Sequence, residues 1–104
     1  MRKVKLYNWE LEIEEVSKLL IDEFMGTKET WGCIDYVTKK ILLRKDVVQD
    51  IKRQTLIHEL THAIKYYMGY GKLDEENICD FMGAHLDVIH DIVEGYFNEN
   101  NKQH

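Results

Sequence analysis

The segment "TLIHELTHAI", Thr55 to Ile64, indicates how the chain folds and where its chemistry lies. It holds one carboxylate, Glu59, and two imidazoles, His58 and His62, in a run otherwise free of charge. An ionised Glu in an apolar helix loses its hydration, so it needs a partner or its pKa shifts until it is neutral. A cation held between the histidines would be such a partner. The segment therefore predicts a buried helix with a cation site.

The spacing of these side chains predicts the type of site. His58 and His62 are four residues apart, so about one turn and 6 Å of rise place both imidazoles on one helix face, where they can share a metal ion. Neutral imidazoles suit tetrahedral Zn²⁺, which in catalytic sites takes three protein ligands and keeps a position for water. Glu59 is rotated by about 100° from His58, off the ligand line but within reach of that water. It has the geometry of a general base.

Two other interpretations use the same residues. In the first, both histidines are core residues with internal hydrogen bonds, and burial keeps Glu59 neutral. In the second, Glu59-x-x-His62 and Asp87-x-x-His90 are a pair of Glu-x-x-His-like repeats of the kind found in di-iron helix bundles. One chain has too few long helices for such a bundle, so this interpretation requires a dimer.

The segment resembles the extended motif of the zincin metallopeptidases, in which a Thr or Val and uncharged residues surround His-Glu-x-x-His and an apolar residue follows. Residues 55–64 match this motif throughout. The metzincin subclass would need Gly at 65 and His at 68, where this chain has Lys65 and Met68, so that subclass is excluded. The resemblance implies an α+β zincin core, bound Zn²⁺ and peptide-bond hydrolysis.

The thermolysin-like gluzincins take their third ligand from a Glu on a following helix, with an Asp four residues later that braces a ligating His. Glu76 and Asp80 have this spacing. The resemblance therefore implies Glu76 as a metal ligand and Asp80 as its outer partner, with Glu75 as the alternative ligand. Acidic residues at positions 74–76 would also be favoured in any first helical turn by capping and the helix dipole.

The stretch "DEENICDFMGAHL", residues 74–86, further resembles the ImmA/IrrE-type metallopeptidases, and the chain looks closest to their small phage-encoded members. Glu76, Cys79, Asp80 and Phe81 follow that pattern, whereas positions 82–83 depart from its usual Phe-Ala continuation. The resemblance extends over about residues 32–90 and is specific over 55–64 and 76–81. It implies either peptide-bond cleavage or regulation of a repressor partner.

Four further side chains could belong to the predicted metal site. His85 is nine residues from Glu76, half a rotation away on a helix, and His90 lies about 21 Å along the axis, so neither is expected to bind this metal. Tyr36 precedes the motif on a predicted hairpin, and Tyr66 follows His62 by one turn. Either hydroxyl could stabilise an oxyanion.

The predicted fold class is α+β, with a small antiparallel sheet packed on helices along one face. The motif helix starts between Asp46 and Asp50 and runs to about Tyr67, and a long C-terminal helix follows with Asp74 as its N-cap. The remaining predicted elements are two strands within 3–13 joined near Asn8 (or a helix from Asn8), a helix over 14–25 ended by Gly26, a linker over 27–30, and the strands "WGCIDY" and "KILLR". Residues 1–98 form one domain, and 99–104 form a flexible tail.

The composition of the chain limits the kinds of partner that the protein is expected to bind. The 104 residues are 44% hydrophobic and 32% charged with a formal net charge of −5, which is typical of a globular protein and offers no basic surface for nucleic acid. "VKLYNWELEIEE" has no signal-peptide core, and no apolar run could cross a membrane, so we expect a cytoplasmic protein. Cys33 and Cys79 are expected to be small buried side chains.

These observations together predict a zinc-dependent metallopeptidase. His58, His62 and Glu76 hold the metal, and Glu59 takes the proton of the attacking water. Residues 39–44 form the edge strand along which an extended peptide or protein substrate pairs, with a repressor-like regulator as one candidate. The rival prediction is a non-catalytic, metal-stabilised interaction or regulatory module, such as a phage accessory protein, because 104 residues leave little material for a substrate cleft.

Overall fold

The computed structural model describes residues 2–25 and 31–102. It has an α+β architecture with one four-stranded mixed sheet, as the coarse fold class predicted. The elements are, in chain order, β1 (Arg2–Leu6), β2 (Trp9–Val16), α1 (Lys18–Met25), β3 (Gly32–Asp35), β4 (Lys40–Arg44), α2 (Gln49–Tyr67) and α3 (Glu75–Lys102).

The N-terminal segment is a β-hairpin, which confirms the two predicted strands and makes the alternative helix from Asn8 wrong. Tyr7 and Asn8 form its turn, and Tyr7 adopts a φ of 57°, in the left-handed region that two-residue hairpin loops require. β2 continues to Val16, which pairs with β4, so the helix predicted from Glu14 begins only at Lys18. The predicted terminator Gly26 and the linker over 27–30 lie outside the described residues.

The strand order is β1-β2-β4-β3, and the β2–β4 pair is parallel, so the prediction of a purely antiparallel sheet was wrong. The reason is the connection: the chain passes from β2 through α1 to β3, and the β3–β4 hairpin then places β4 beside β2 in the same direction. β4 is therefore an inner strand. The prediction that residues 39–44 form a sheet edge was also wrong, and β3 occupies that edge instead.

The sheet has helices on both faces, not on one face as predicted. On β4, Ile41 and Leu43 point into the main core, which they share with residues of α2 and α3. Leu42, between them, points to the other face and packs with Ile21 of α1 and with Cys33. This alternation follows from the two-residue period of a strand. Cys33 is buried as expected, whereas Cys79 is exposed, so the prediction for Cys79 was wrong.

Helix α2 lies close against the edge strand at Gly32. A Cβ built on this glycine would lie 2.6 Å from Thr55 Cγ2 and 2.7 Å from the Leu42 carbonyl oxygen. Only a residue without a side chain lets the helix approach the strand this closely. This contact places α2 beside the start of β3, with Thr55 three residues before the first motif histidine.

Helix α3 begins as predicted, because the Asp74 carboxylate accepts a hydrogen bond from the Asn77 backbone N–H at 2.9 Å. It extends through Lys102 and so includes residues 99–102, which the sequence assigned to the tail; residues 103–104 lie outside the described residues. Within residues 2–25 and 31–102, no helix combines the length and the apolar character needed to cross a membrane.

Candidate metal centre

The two motif histidines lie on the solvent-facing side of α2, one turn apart. Their Nε2 atoms are 3.0 Å apart, within hydrogen-bond distance, and their rings meet edge to face. Both side chains are exposed, although the predicted helix was expected to be buried on several sides. The pKa of His62 is lowered by partial burial, and by the neighbouring His58 and Lys65, so its imidazole is more readily neutral, as metal binding requires.

Glu59 differs from both histidines because it points into the protein and is only 5% exposed. No described residue donates a hydrogen bond to its carboxylate. Burial raises the pKa of this carboxyl group above its ordinary value, and the neighbouring His58 opposes that change. The charge of Glu59 also acts on Cys33 of β3. Burial raises the pKa of this thiol to about 11, and the charge of Glu59 adds to the rise.

The structure does not bring the predicted third ligand to the histidine pair. Glu76 and Asp80 are exposed on α3, on the side opposite the buried His85. The alternative ligand Glu75 is also exposed. Among residues 2–25 and 31–102, no group of three or more His, Cys, Asp or Glu side chains is placed to hold a metal ion. The assignment of Glu76 as ligand and Asp80 as its partner stays a prediction.

Both candidate oxyanion tyrosines lie beside His62. The rings of Tyr36 and Tyr66 are stacked, with centroids 4.1 Å apart and an interplanar angle of 15°. With His62 they line an open cavity of about 350 Å³, whose other lining residues are Lys65, Gly69 and Tyr70. Burial raises the pKa of Tyr36, and Glu59 adds to this effect through its charge. The structure thus places both phenols near the motif.

A second histidine environment, which the sequence reasoning missed, lies on α3. His85 is 4% exposed, and its two ring nitrogens each meet a tyrosine hydroxyl: Nδ1 lies 2.6 Å from Tyr7 Oη and Nε2 lies 2.8 Å from Tyr70 Oη. Burial lowers the pKa of His85. A neutral imidazole donates through one nitrogen and accepts through the other, so both nitrogens are satisfied. Their partners are 78 and 15 residues away, so no local pattern could have revealed them.

The histidine pair fits two positions of a tetrahedral zinc site. Two nitrogens at about 2.05 Å from a tetrahedral ion would be roughly 3.3 Å apart, so the observed pair would need to open by only about 0.3 Å. Neutral imidazoles, an adjacent buried carboxylate and space for water are the donor chemistry of a catalytic zinc site. The described residues therefore offer two candidate ligands and a candidate base.

Comparisons with protein-family models, with curated proteins and with solved structures each found no match to this chain.

Proposed function

We propose that this protein is a zinc-dependent metallopeptidase with a zincin-like core. The observation that supports it best is the contrast within one helical turn of α2. His58 and His62 expose Nε2 atoms 3.0 Å apart, while the Glu59 side chain is 5% exposed and accepts no hydrogen bond from the residues that the structure describes. Zn²⁺ bound at the pair would supply Lewis acidity toward water and the substrate carbonyl.

Each residue then has a distinct role. His58 and His62 hold the ion through Nε2, with Glu76 as the proposed third ligand and Glu75 as its alternative. Glu59 accepts a proton from the attacking water, and its raised pKa brings its proton affinity closer to the working pH of a general base. Either the Tyr36 or the Tyr66 hydroxyl, which line the same cavity as His62, is the proposed donor toward the oxyanion.

The substrate strand is proposed to pair with β3, since β4 is an inner strand. β3 is a free edge of the sheet and runs beside α2, where Gly32 contacts Thr55, four residues before Glu59. An extended peptide added at this edge would pass the histidine pair through main-chain hydrogen bonds. The peptide bond would then lie within reach of Glu59.

The test is the substitution Glu59→Gln in zinc-loaded protein. This change keeps the side-chain shape but removes the base, so we expect peptide cleavage to fall by about 100-fold or more while zinc stoichiometry is unchanged. Cleavage would be followed by mass spectrometry on a mixed peptide library and on repressor-like proteins. Glu10→Gln, at an exposed position of β2, is the matched control and should retain full activity.

One observation favours a second candidate function, a non-catalytic metal-stabilised interaction module of a phage accessory protein. The described residues bring no third ligand to the histidine pair, which suits a site completed by a partner protein. In that case zinc would still bind to His58 and His62, but Glu59→Gln would leave the partner-directed activity intact. Persistence of that activity in the variant would overturn the peptidase proposal.

A further inference from the structure

The cavity beside His62 also contains Lys65, a residue that the proposed catalytic step does not use. Its volume of about 350 Å³ lies within the range of small-molecule sites, and it is open to solvent. The polar side chains among its described lining residues are an ammonium, an imidazole and phenols, with no carboxylate. In a chain with a net charge of −5, this is a local concentration of hydrogen-bond donors.

Lys65 is the charged group of this cavity. Its side chain is half-buried, and no Asp or Glu among the described residues lies within salt-bridge distance of its ammonium. Other basic side chains of similar exposure have such partners: Lys52 contacts Glu15 at 2.6 Å, and Arg53 pairs with Glu94. A half-buried ammonium without a carboxylate is available to an anionic ligand.

The two stacked phenols offer further donors on the same wall. Neither the Tyr36 nor the Tyr66 hydroxyl hydrogen-bonds to a described residue, whereas Tyr70 is committed to His85 at 2.8 Å. Asp35, on the neighbouring edge strand, accepts hydrogen bonds from the Val37 and Thr38 backbone N–H groups and makes no hydrogen bond to either phenol. One ammonium and one hydroxyl match the two oxygens of a carboxylate, and the other hydroxyl remains available to the oxyanion.

We propose that this cavity binds a carboxylate of the peptide substrate through the Lys65 ammonium and the Tyr66 hydroxyl, which leaves the Tyr36 hydroxyl as the donor toward the oxyanion. The inference rests on the proposed peptidase function, because it assigns a preference to that substrate. The carboxylate belongs either to the peptide C-terminus or to an Asp or Glu side chain. Because the cavity includes His62, the anionic group would lie next to the scissile bond.

The test measures binding without metal, so its failure is distinguishable from failure of the cleavage experiment. Acetyl-Ala-Ala-Phe and its C-terminal amide would be titrated into ¹⁵N-labelled, zinc-free protein at pH 8, where ordinary imidazoles are neutral. A second pair, acetyl-Gly-Asp-Gly-amide and acetyl-Gly-Asn-Gly-amide, tests a side-chain carboxylate. We expect the acid of at least one pair to bind about tenfold more tightly than its neutral partner, the scale of one charge-assisted hydrogen bond.

Substitutions then locate the site. Lys65→Gln should abolish the difference between acid and amide, and Tyr66→Phe, which keeps the ring stacked on Tyr36, should reduce it. Lys45→Gln makes the same charge change at an exposed position outside the cavity and should leave the difference intact. Equal binding of acid and neutral peptides in both pairs, absence of binding by all four, or an unchanged difference in Lys65→Gln would overturn the proposal.

Discussion

Glu59 on α2 and His85 on α3 are buried to nearly the same extent, 5% and 4% exposed, yet their surroundings differ completely. Both nitrogens of His85 meet tyrosine hydroxyls, at 2.6 and 2.8 Å, so this imidazole has no capacity left for a ligand. No described residue donates a hydrogen bond to Glu59. A buried titratable group with complete partners indicates a structural role, whereas a carboxylate that no described residue pairs is available to an external group such as water or a metal ion.

The histidines extend the same contrast. Among the described residues, the Nε2 atoms of His58 and His62 have only each other as hydrogen-bond partners, and both side chains face solvent, where an ion can reach them. His85 links the turn of the N-terminal hairpin, through Tyr7, to the α2–α3 connection, through Tyr70. The hydrogen bond to His85 also helps to hold Tyr7, whose backbone has a φ of 57° that is unusual for a bulky residue. We therefore expect one region to bind metal and the other to stabilise the fold.

The largest expected effect concerns zinc affinity. His58→Ala or His62→Ala should weaken Zn²⁺ binding by at least about 100-fold, because loss of a direct ligand costs more than loss of an outer partner, which is worth 10–100-fold. His90→Ala, on the exposed side of α3, is the control and should bind zinc as the wild type does. Isothermal titration calorimetry at pH 7.5 would measure this. Equal affinity in all three variants would show that the pair is not the metal site.

The next effect concerns stability. His85→Leu keeps a similar side-chain volume but removes the partner of the Tyr70 hydroxyl and leaves the Tyr7 hydroxyl only the Ala84 carbonyl oxygen at 3.5 Å, so we expect the free energy of unfolding to fall by about 2 kcal/mol. His90→Leu makes the same substitution on the same helix at an exposed position, where only weak contacts to Asp91 and Glu94 at 3.9 and 3.8 Å are lost. It should change stability by less than about 0.5 kcal/mol. Urea denaturation of both variants gives the comparison, and equal losses would contradict the structural role of His85.

The helices that carry Glu59 and His85 could be predicted from local sequence, whereas the strand order and the partners of His85 could not. The motif helix follows from residues 55–64, and the α3 start follows from Asp74, because helix periodicity and capping act over a few residues. The position of β4 beside β2 depends on how α1 crosses the sheet, so the parallel pair was missed. The partners of His85 come from distant parts of the chain, and spacing alone could exclude it as a ligand without revealing its tyrosines.

The exposure of His58 and His62 could not be predicted from the sequence for a related reason. Uncharged flanks suggested a helix buried on several sides, but burial depends on which elements cover each face. In the structure the sheet and α3 cover the side of α2 that carries Leu56, Leu60 and Ile64, and His58 and His62 are left to solvent. The position of Glu76 away from the histidine pair has the same origin. Phe81 and Ile89 pack in the core and so set the orientation of α3, which leaves Glu76 on its exposed side.

The smallest effect concerns the stability of the zinc-free protein. Burial raises the pKa of Glu59 in the folded state above its value in the unfolded chain, so the folded state resists ionisation. The ionisation penalty is absent below the unfolded pKa of 4.5, grows as pH rises from there through the folded pKa, and is complete above it. Glu59→Gln has no such penalty, so we expect it to be more stable than wild type at pH 7, by less than about 2 kcal/mol, and equally stable near pH 4.

Urea denaturation between pH 4 and pH 8 tests this expectation, with Glu10→Gln as the control because Glu10 lies at an exposed position. Repeating the denaturation with zinc present gives the decisive comparison. A cation between His58 and His62 would offset the charge of Glu59, so zinc should stabilise the wild type more than Glu59→Gln. A lower stability of Glu59→Gln at pH 7 without metal would mean that the carboxylate already has a partner. The difference between Glu59 and His85 would then be one of degree, and the argument that the buried acid awaits a metal would fail.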